Sequence, residues 1–508
     1  MNRDTTIVAG ETPGFLHRFL TVATQHPDAI AIEMLDDKIR LTYAELRARA
    51  ELACGALASL GIEAGDRILV ILPNSIAFVT TYIAAIGRGA IPVLVNDKLT
   101  EHEFGKLAAH AAPKAIVTTS KLLAKHAEAV AGLASLRVVA TVDGRPQIDA
   151  PAITIASLAD AHAPVALQLP EGDPIVTLQF TYKGLGRPLL VGHRYRALTR
   201  STDGIHEDLH AQGVGSCHLT ALPLYAVFGL TMLMVFPLSV GATMVMTNSI
   251  SRHNIVQLLS QHRITFACLV PDLLRMMSEQ LRPGRGPAER PPLEPKLMVY
   301  SGGSHLSGDV SAELSERLGG IPVLQGYGLT ECMPVMMQSS HRPGTPGALG
   351  RPIRCTEARV VDSDGKDVEP GQTGELLLRG PTVAEGYVGD REATARFFRD
   401  GWLHTGDLVA RSAEGEIGFL GRRLRITKVM AQMIDLAEVE SAATSHPAVR
   451  RARARVVRDA QGRNSVALSV VVGEDSTLEV IAAHLSARLA AFKRPRHVEV
   501  VPASEATC

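Results

Sequence analysis

Three runs of this sequence carry side chains that suit a nucleotide. Tyr327-Gly328-Leu329-Thr330-Glu331 supplies an aromatic face, a hydroxyl and a carboxylate. Further along, Gly401-Trp402-Leu403-His404-Thr405-Gly406-Asp407-Leu408 adds a second carboxylate, and Gly421-Arg422 a guanidinium. Each stands near glycine, which lets backbone approach a ligand closely and take positive φ. A threonine hydroxyl suits a phosphate oxygen, a glutamate suits Mg²⁺, and an aspartate can accept from both hydroxyls of a ribose. Singly, Asp407 reads as well as a turn aspartate and Tyr327 as a core aromatic. Together they read as a nucleotide site.

Such loops need a rigid frame, and the pattern along the chain is α/β. Helical periodicity over Tyr43–Leu60 precedes an apolar run, Arg67–Leu72, and a helix over Ile76–Gly89 leads to Ile91–Val95. Ala115–Thr119 and Leu136–Val142 read as further buried strands, an alternation that argues for parallel strands with crossover helices. Ile264–Val270, Leu297–Tyr300 and Val323–Gly326 follow, the last two ending in glycine-rich turns. Ligands in such sheets sit at the carboxyl ends of strands, where Ser301-Gly302-Gly303-Ser304 and Gly326–Glu331 fall. Asp149–Asp173 and Arg282–Pro295 read as surface loops. The whole divides into a large N-terminal domain, 1–420, of parallel and mixed sheets with helices on their faces, and a small α+β lid, 421–508. In the lid, Asp435–His446 and Leu478–Ala491 read as helices, and Ala452–Val457 and Ser465–Val472 as strands.

A chain of 508 residues is long enough for more than one domain. Lys plus Arg and Asp plus Glu stand at 52 each, so no basic or acidic excess points to nucleic acid or an anionic membrane. Six cysteines show neither a C-x-x-C pair nor metal-ligand spacing, and read as reduced thiols of a cytoplasmic protein. Cys332, beside Glu331, reads as a plain pocket-lining residue. Leu219 to Ile250 is free of charge and long enough for a membrane span. Gly229, Pro237 and Gly241 interrupt it, so a buried soluble segment is expected.

In order and wording the three runs resemble the adenylate-forming (AMP-binding) superfamily, which includes acyl-CoA synthetases and fatty or aryl acid:carrier-protein ligases. Shorter matches extend the resemblance over nearly the whole chain: Leu41-Thr42-Tyr43-Ala44-Glu45-Leu46, Gly65–Ile68 with Pro73-Asn74, Gly347–Pro352 and Gly374-Glu375-Leu376. The resemblance implies that Ser301, Gly302 and Gly303 turn against an adenine on which Tyr327 stacks. It implies Thr330 on the α-phosphate, Glu331 on Mg²⁺, Asp407 on the ribose hydroxyls and Arg422 on the ribose-phosphate side. It makes Arg425 the hinge about which the lid rotates. The implied chemistry is attack of a carboxylate on the α-phosphate of ATP, giving an acyl-adenylate and pyrophosphate. A thiol of CoA, or the phosphopantetheine of an acyl carrier protein, then takes the acyl group.

The sequence departs from the family at the phosphates. The usual Thr-Ser-Gly-Thr-Thr-Gly-x-Pro-Lys-Gly loop reads here Thr181-Tyr182-Lys183-Gly184-Leu185-Gly186-Arg187-Pro188-Leu189-Leu190. Thr181, Gly186 and Pro188 keep their places, while Lys183 and Arg187 bring new cations. Either they replace the hydroxyl cradle as point charges, with Lys183 catalytic, or the loop has lost its phosphate role. The lid reads as shortened at its end. No lysine follows Lys493, where the family carries one that bridges the acid and the α-phosphate. Losing one such donor costs on the order of 10²–10³ in rate. Ala226 replaces a histidine, Ala431 sits where a glycine lines the thiol tunnel, and Leu436 replaces a proline. Beside the ligase stand two alternatives: a nucleotide- or acyl-binding member without adenylation, and a relative that handles acyl thioesters without ATP.

Overall fold

Strand Arg67–Ile71 shows why the first sheet is buried on both faces. Ile68 and Val70 enter one hydrophobic core, and Leu69 and Ile71 the other. A run without polar alternation fits a parallel strand covered on both sides. The computed structural model describes residues 13–144, 154–158, 163–209, 212–282, 292–339, 344–430, 432–459, 463–472 and 477–501. Its seven-stranded sheet runs Thr154–Ser157, Val138–Thr141, Ala115–Thr118, Arg67–Ile71, Ile91–Leu94, Ile175–Thr181 and Leu189–Arg194. All neighbours are parallel except the last pair, an antiparallel hairpin. Residues 182–188, the altered phosphate loop, are the turn of that hairpin. Strand Thr154–Ser157 falls inside the stretch expected to be loop, because its backbone completes the sheet edge beside Val138–Thr141. Most of the second expected loop lies outside the described residues.

Helix starts are set by local chemistry. Thr42 and Glu45 form a capping box before helix Tyr43–Ser59, and Thr100 and Glu103 do the same before Glu101–Ala111. The uncharged stretch from 219 onward folds as strand Cys217–Thr220, short helical segments from Val227 to Val240, and strand Thr243–Met246. Gly241, at φ 86°, ends the helical part in the left-handed region that glycine tolerates. Among the described residues no helix is long and apolar enough to cross a membrane.

The larger sheet holds Phe266–Leu269, Met298–Ser301 and Val323–Leu329 in parallel. Strand Val323–Leu329 runs past the expected end at Gly326 and pairs antiparallel with Met333–Met337. Beyond it the sheet continues through Ala348–Pro352, Ile417–Arg422, Trp402–Arg411, Thr373–Arg379 and Glu357–Val361. The sequence pattern did not announce this antiparallel β region. Its glycine-punctuated strands read as a series of loops carrying site residues.

The lid is the expected α+β unit. Hairpin Ile426–Val429 with Gln432–Asp435 leads to helix Leu436–Thr444, then strands Val449–Arg458 and Asn464–Val472, helix Leu478–Arg488 and strand His497–Val500. Ile434, Val439, Leu468, Val470, Ile481 and Leu485 give it a core of its own. Strand Ile417–Arg422 runs across the expected boundary at 421, and the lid hairpin begins at Ile426.

Candidate active site

Sheet register brings together three of the residues expected to bind nucleotide. Asp407 and Arg422 are direct partners on strands Trp402–Arg411 and Ile417–Arg422. Arg422 Nε donates to Asp407 Oδ1 at 2.6 Å and Nη2 to Oδ2 at 3.3 Å. From Val323–Leu329, the Tyr327 hydroxyl donates to the same Oδ2 at 2.6 Å. Burial, then the Asp407 charge, pushes the Tyr327 phenol far above its ordinary range, so it stays a donor. Tyr327 is a core aromatic that also lines the cavity, and Asp407 lies within a strand, not a turn.

Thr330 and Glu331 lie in the turn between Val323–Leu329 and Met333–Met337. Thr330 lines the cavity. Glu331, 1% exposed, accepts from the Tyr387 hydroxyl at 2.9 Å, and Lys183 Nζ lies 3.3 Å from the same oxygen, Oε1. The carboxylate that the resemblance assigns to Mg²⁺ is thus engaged here by the chain's own ammonium and phenol. Cys332 is fully buried in the adjoining core, and burial raises its thiol to about 12, so it is not a reactive group.

Ser301, Gly302 and Gly303 end strand Met298–Ser301 as expected. Ser301 is fully buried, and its Oγ has no hydrogen-bond partner among the described residues. Gly302 is demanded by packing, since a Cβ there would meet the Phe228 ring at 2.2 Å. The Gly303 carbonyl accepts from Lys428 Nζ.

The altered loop divides its cations. Lys183 turns inward to Glu331 and to the Thr405 carbonyl, 3.5 Å away. Arg187 turns outward and pairs with Asp390. Thr181 is buried at the end of its strand. Gly184 and Gly186 both have positive φ, near 74° and 71°, and pack against Arg425 and Ala437 of the lid. The Gly186 N–H, which a phosphate would use, donates to Asp435 Oδ2 at 3.1 Å. A lid carboxylate thus occupies the loop's anion position. Arg425, the expected hinge, is pinned inside the lid by two hydrogen bonds to Glu440 and one to the Ala454 carbonyl. Any hinge motion there belongs to its backbone.

Sequence reasoning missed four participants. Lys428 sits half-buried on the lid hairpin and lines the cavity with Thr330 and Tyr327. Burial, then the Arg422 charge, lowers its ammonium to about 8. Lys493, 1% exposed, lies 2.9 Å from Glu103 and 2.8 Å from Glu438, and its Nζ is 3.3 Å from the Tyr182 hydroxyl. Gln432 accepts from Tyr225 and from Asn96 through one oxygen. Tyr387 comes from a segment with no motif. Lys428 and Lys493 are lysines in plain view, but their partners are distant in sequence. Ala431 lies outside the described residues, as does the chain beyond Val501.

The cavity runs from this corner into an apolar chamber walled by Tyr225, Phe228, Met232, Tyr300, Met333 and Met336. Ala226, where the family has histidine, adds no polar group to its lining.

Comparison with known proteins settles the family. The model for AMP-binding enzymes matches residues 19–388, and that for the AMP-binding enzyme C-terminal domain matches 438–507. The chain belongs to the AMP-binding enzyme family. Among curated relatives, 4-coumarate–CoA ligase 5 of Oryza sativa subsp. japonica is 27% identical, over 91% of this chain and 86% of its own length. A feruloyl-CoA synthase of Amycolatopsis sp is 29% identical, over 90% of this chain and 89% of its own. Among solved structures, a double mutant of o-succinylbenzoate CoA synthetase from Bacillus subtilis, bound with a product analogue, superposes with a TM-score of 0.82. It is 25% identical, over 97% of this chain and 96% of that one. The amide bond synthetase McbA of Marinactinospora thermotolerans, 24% identical with a TM-score of 0.83 over 96% of each chain, shares the fold. The large sheet domain and small C-terminal lid of this AMP-binding enzyme are the architecture of that fold.

Proposed function

We propose that this AMP-binding enzyme activates an aromatic or fatty carboxylic acid with ATP as the acyl-adenylate and transfers the acyl group to the thiol of CoA. It is an acid–thiol ligase. The observation that carries the substrate class is the chamber joined to the Tyr327–Thr330 corner. Corner and chamber together enclose about 170 Å³, and the chamber's walls are largely rings and methionines. A dry cavity of about 150 Å³ holds a benzene ring, so an aromatic acid fits with its carboxylate toward Thr330. No aspartate lines it to meet the ammonium of an amino acid. Names of the curated relatives, 4-coumarate–CoA ligase and feruloyl-CoA synthase, agree with an aryl acid.

In this reading Tyr327 and Asp407 hold the adenosine, and Thr330 donates to the α-phosphate. Thr181 and Gly186 border the outer phosphates. Lys428, on the lid hairpin, lines the cavity in the present lid orientation. Because Asp435 fills the Gly186 N–H, the lid must swing about the Arg425 backbone before pyrophosphate can sit in the loop. It then returns to the closed orientation for thiol transfer. An acyl carrier protein in place of CoA is the natural variant of the second step. A cytoplasmic setting accords with the free thiols of the five described cysteines.

Mass spectrometry of reactions containing ATP, CoA and a panel of hydroxycinnamic, benzoic and medium-chain fatty acids tests the assignment. An acyl-CoA product with an aromatic acid is expected. No product with any acid counts against it.

One observation favours a second reading, a binder without adenylation: the Lys183–Glu331 and Asp435–Gly186 contacts leave the phosphate groups self-satisfied. Nucleotide binding without turnover, abolished by Asp407→Ala, would select it. Binding of an acyl thioester but not ATP would select a thioester-handling relative.

A further inference from the structure

Glu331 is the one carboxylate of its run, and the family resemblance places a divalent cation on it. Four contacts in this chain argue against that ion. Oε1 of Glu331 takes the Lys183 ammonium at 3.3 Å and the Tyr387 hydroxyl at 2.9 Å. Both members of the ion pair are withdrawn from water, at 3% and 1% side-chain exposure. The ammonium is fitted on its other sides too, with the Thr405 carbonyl at 3.5 Å and the Phe397 ring centroid at 5.6 Å. A pair this buried holds together because losing either partner leaves a desolvated charge. Lys183, moreover, comes from the phosphate loop itself, in the same turn where the expected hydroxyls have become Tyr182, Gly184 and Leu185.

We propose that the Lys183 ammonium stands where the divalent cation would stand, so that the chain binds ATP without one. The proposal rests on the reading that ATP is the activating substrate. Its consequence follows from charge. A divalent ion on one carboxylate presents a net single positive charge to the phosphates, whereas an ammonium on that carboxylate presents none. Lys183 therefore removes the repulsion between Glu331 and phosphate without adding attraction. Affinity is left to the adenosine corner.

Calorimetric titration of ATP in magnesium and in EDTA tests this on wild type and Lys183→Met. Wild type is expected to bind ATP within twofold in the two media. Lys183→Met frees Glu331 for a metal and is expected to bind at least tenfold more tightly in magnesium than in EDTA. Mn²⁺ titrated into the AMP complex, followed by EPR, gives a second readout: no bound ion in wild type and one in the variant. Wild-type affinity that falls tenfold or more in EDTA, or a bound Mn²⁺ in wild type, overturns the proposal. Should Lys183→Met not fold, Lys183→Met/Glu331→Gln leaves no buried charge unpaired. It is expected to bind ATP equally in both media, and a tenfold preference for magnesium there overturns the proposal. Equal wild-type affinity in both media without acid-dependent turnover would overturn the ligase reading and keep this one. Turnover with ATP binding that collapses in EDTA would do the reverse, and no ATP binding in either medium overturns both.

Discussion

Asp407 and Arg422 face each other across two antiparallel strands, with Arg422 Nε 2.6 Å from Asp407 Oδ1, and Tyr327 reaches the same carboxylate from a third strand. Three motifs far apart in sequence thus meet at one buried carboxylate. The site is a product of sheet register as much as of residue type.

Asp407→Asn keeps an acceptor for Tyr327 but leaves the Arg422 guanidinium without its charge partner. Breaking a buried pair on one side costs about 3–5 kcal/mol, and the ribose loses its double acceptor. AMP affinity by calorimetry should fall at least tenfold and the thermal midpoint should drop. Unchanged AMP affinity would remove Asp407 from the nucleotide site.

Lys428 gives the fold a pH signature. Its folded value, about 8, lies below the ordinary 10.5. Between those values the unfolded chain binds a proton that the folded chain does not, so the Lys428 contribution to stability rises as pH climbs from below 8 to above 10.5. The full swing is on the order of 3 kcal/mol at about 1.4 kcal/mol per unit. Denaturant melts of wild type and Lys428→Met should converge with rising pH, the variant being the more stable near pH 7. A variant less stable than wild type at pH 7 would contradict this.

Lys493 holds the lid to the body through Glu103, Glu438 and Tyr182. Lys493→Met leaves two carboxylates facing each other with little solvent, and should cost about 3–5 kcal/mol. Hydrogen exchange should speed up along helix Leu436–Thr444 and at the start of Glu101–Ala111, while the core sheets stay protected. Uniform exchange across the chain would show that Lys493 serves global stability and does not hold the lid.

Gly302 meets Phe228 at the chamber wall. Gly302→Ala should raise KM for the aromatic acid and destabilise by about 1–3 kcal/mol through overpacking. Gly302→Ala/Phe228→Ala should restore much of the stability, because the clash is with that one ring. Failure of the double variant to recover would place the strain elsewhere.

The sequence announced the architecture well where apolar runs were short and unbroken, as in Arg67–Ile71 and Ala115–Thr118. It announced that Tyr327, Asp407 and Arg422 belong to one site, because they stand beside glycines in family order, and the three do converge. It did not announce the antiparallel strands from Ala348 to Arg422, whose half-exposed faces and many glycines mimic loops. Nor did it show that Lys183 and Arg187, four residues apart, would part company. That separation is decided by Glu331 and Asp390, each distant in the chain. The contacts of Lys428 and Lys493 were hidden for the same reason: Gly303, Glu103 and Tyr182 come from the other domain.

Despite its rewritten phosphate loop, this chain is expected to activate a carboxylic acid with ATP. Acid-dependent ATP–pyrophosphate exchange tests it most directly, run on wild type and Lys183→Ala over aromatic and fatty acids. Wild type should show exchange with at least one aromatic acid, lowered tenfold or more in Lys183→Ala. Absence of exchange with every acid, from folded protein that still binds AMP, would contradict it.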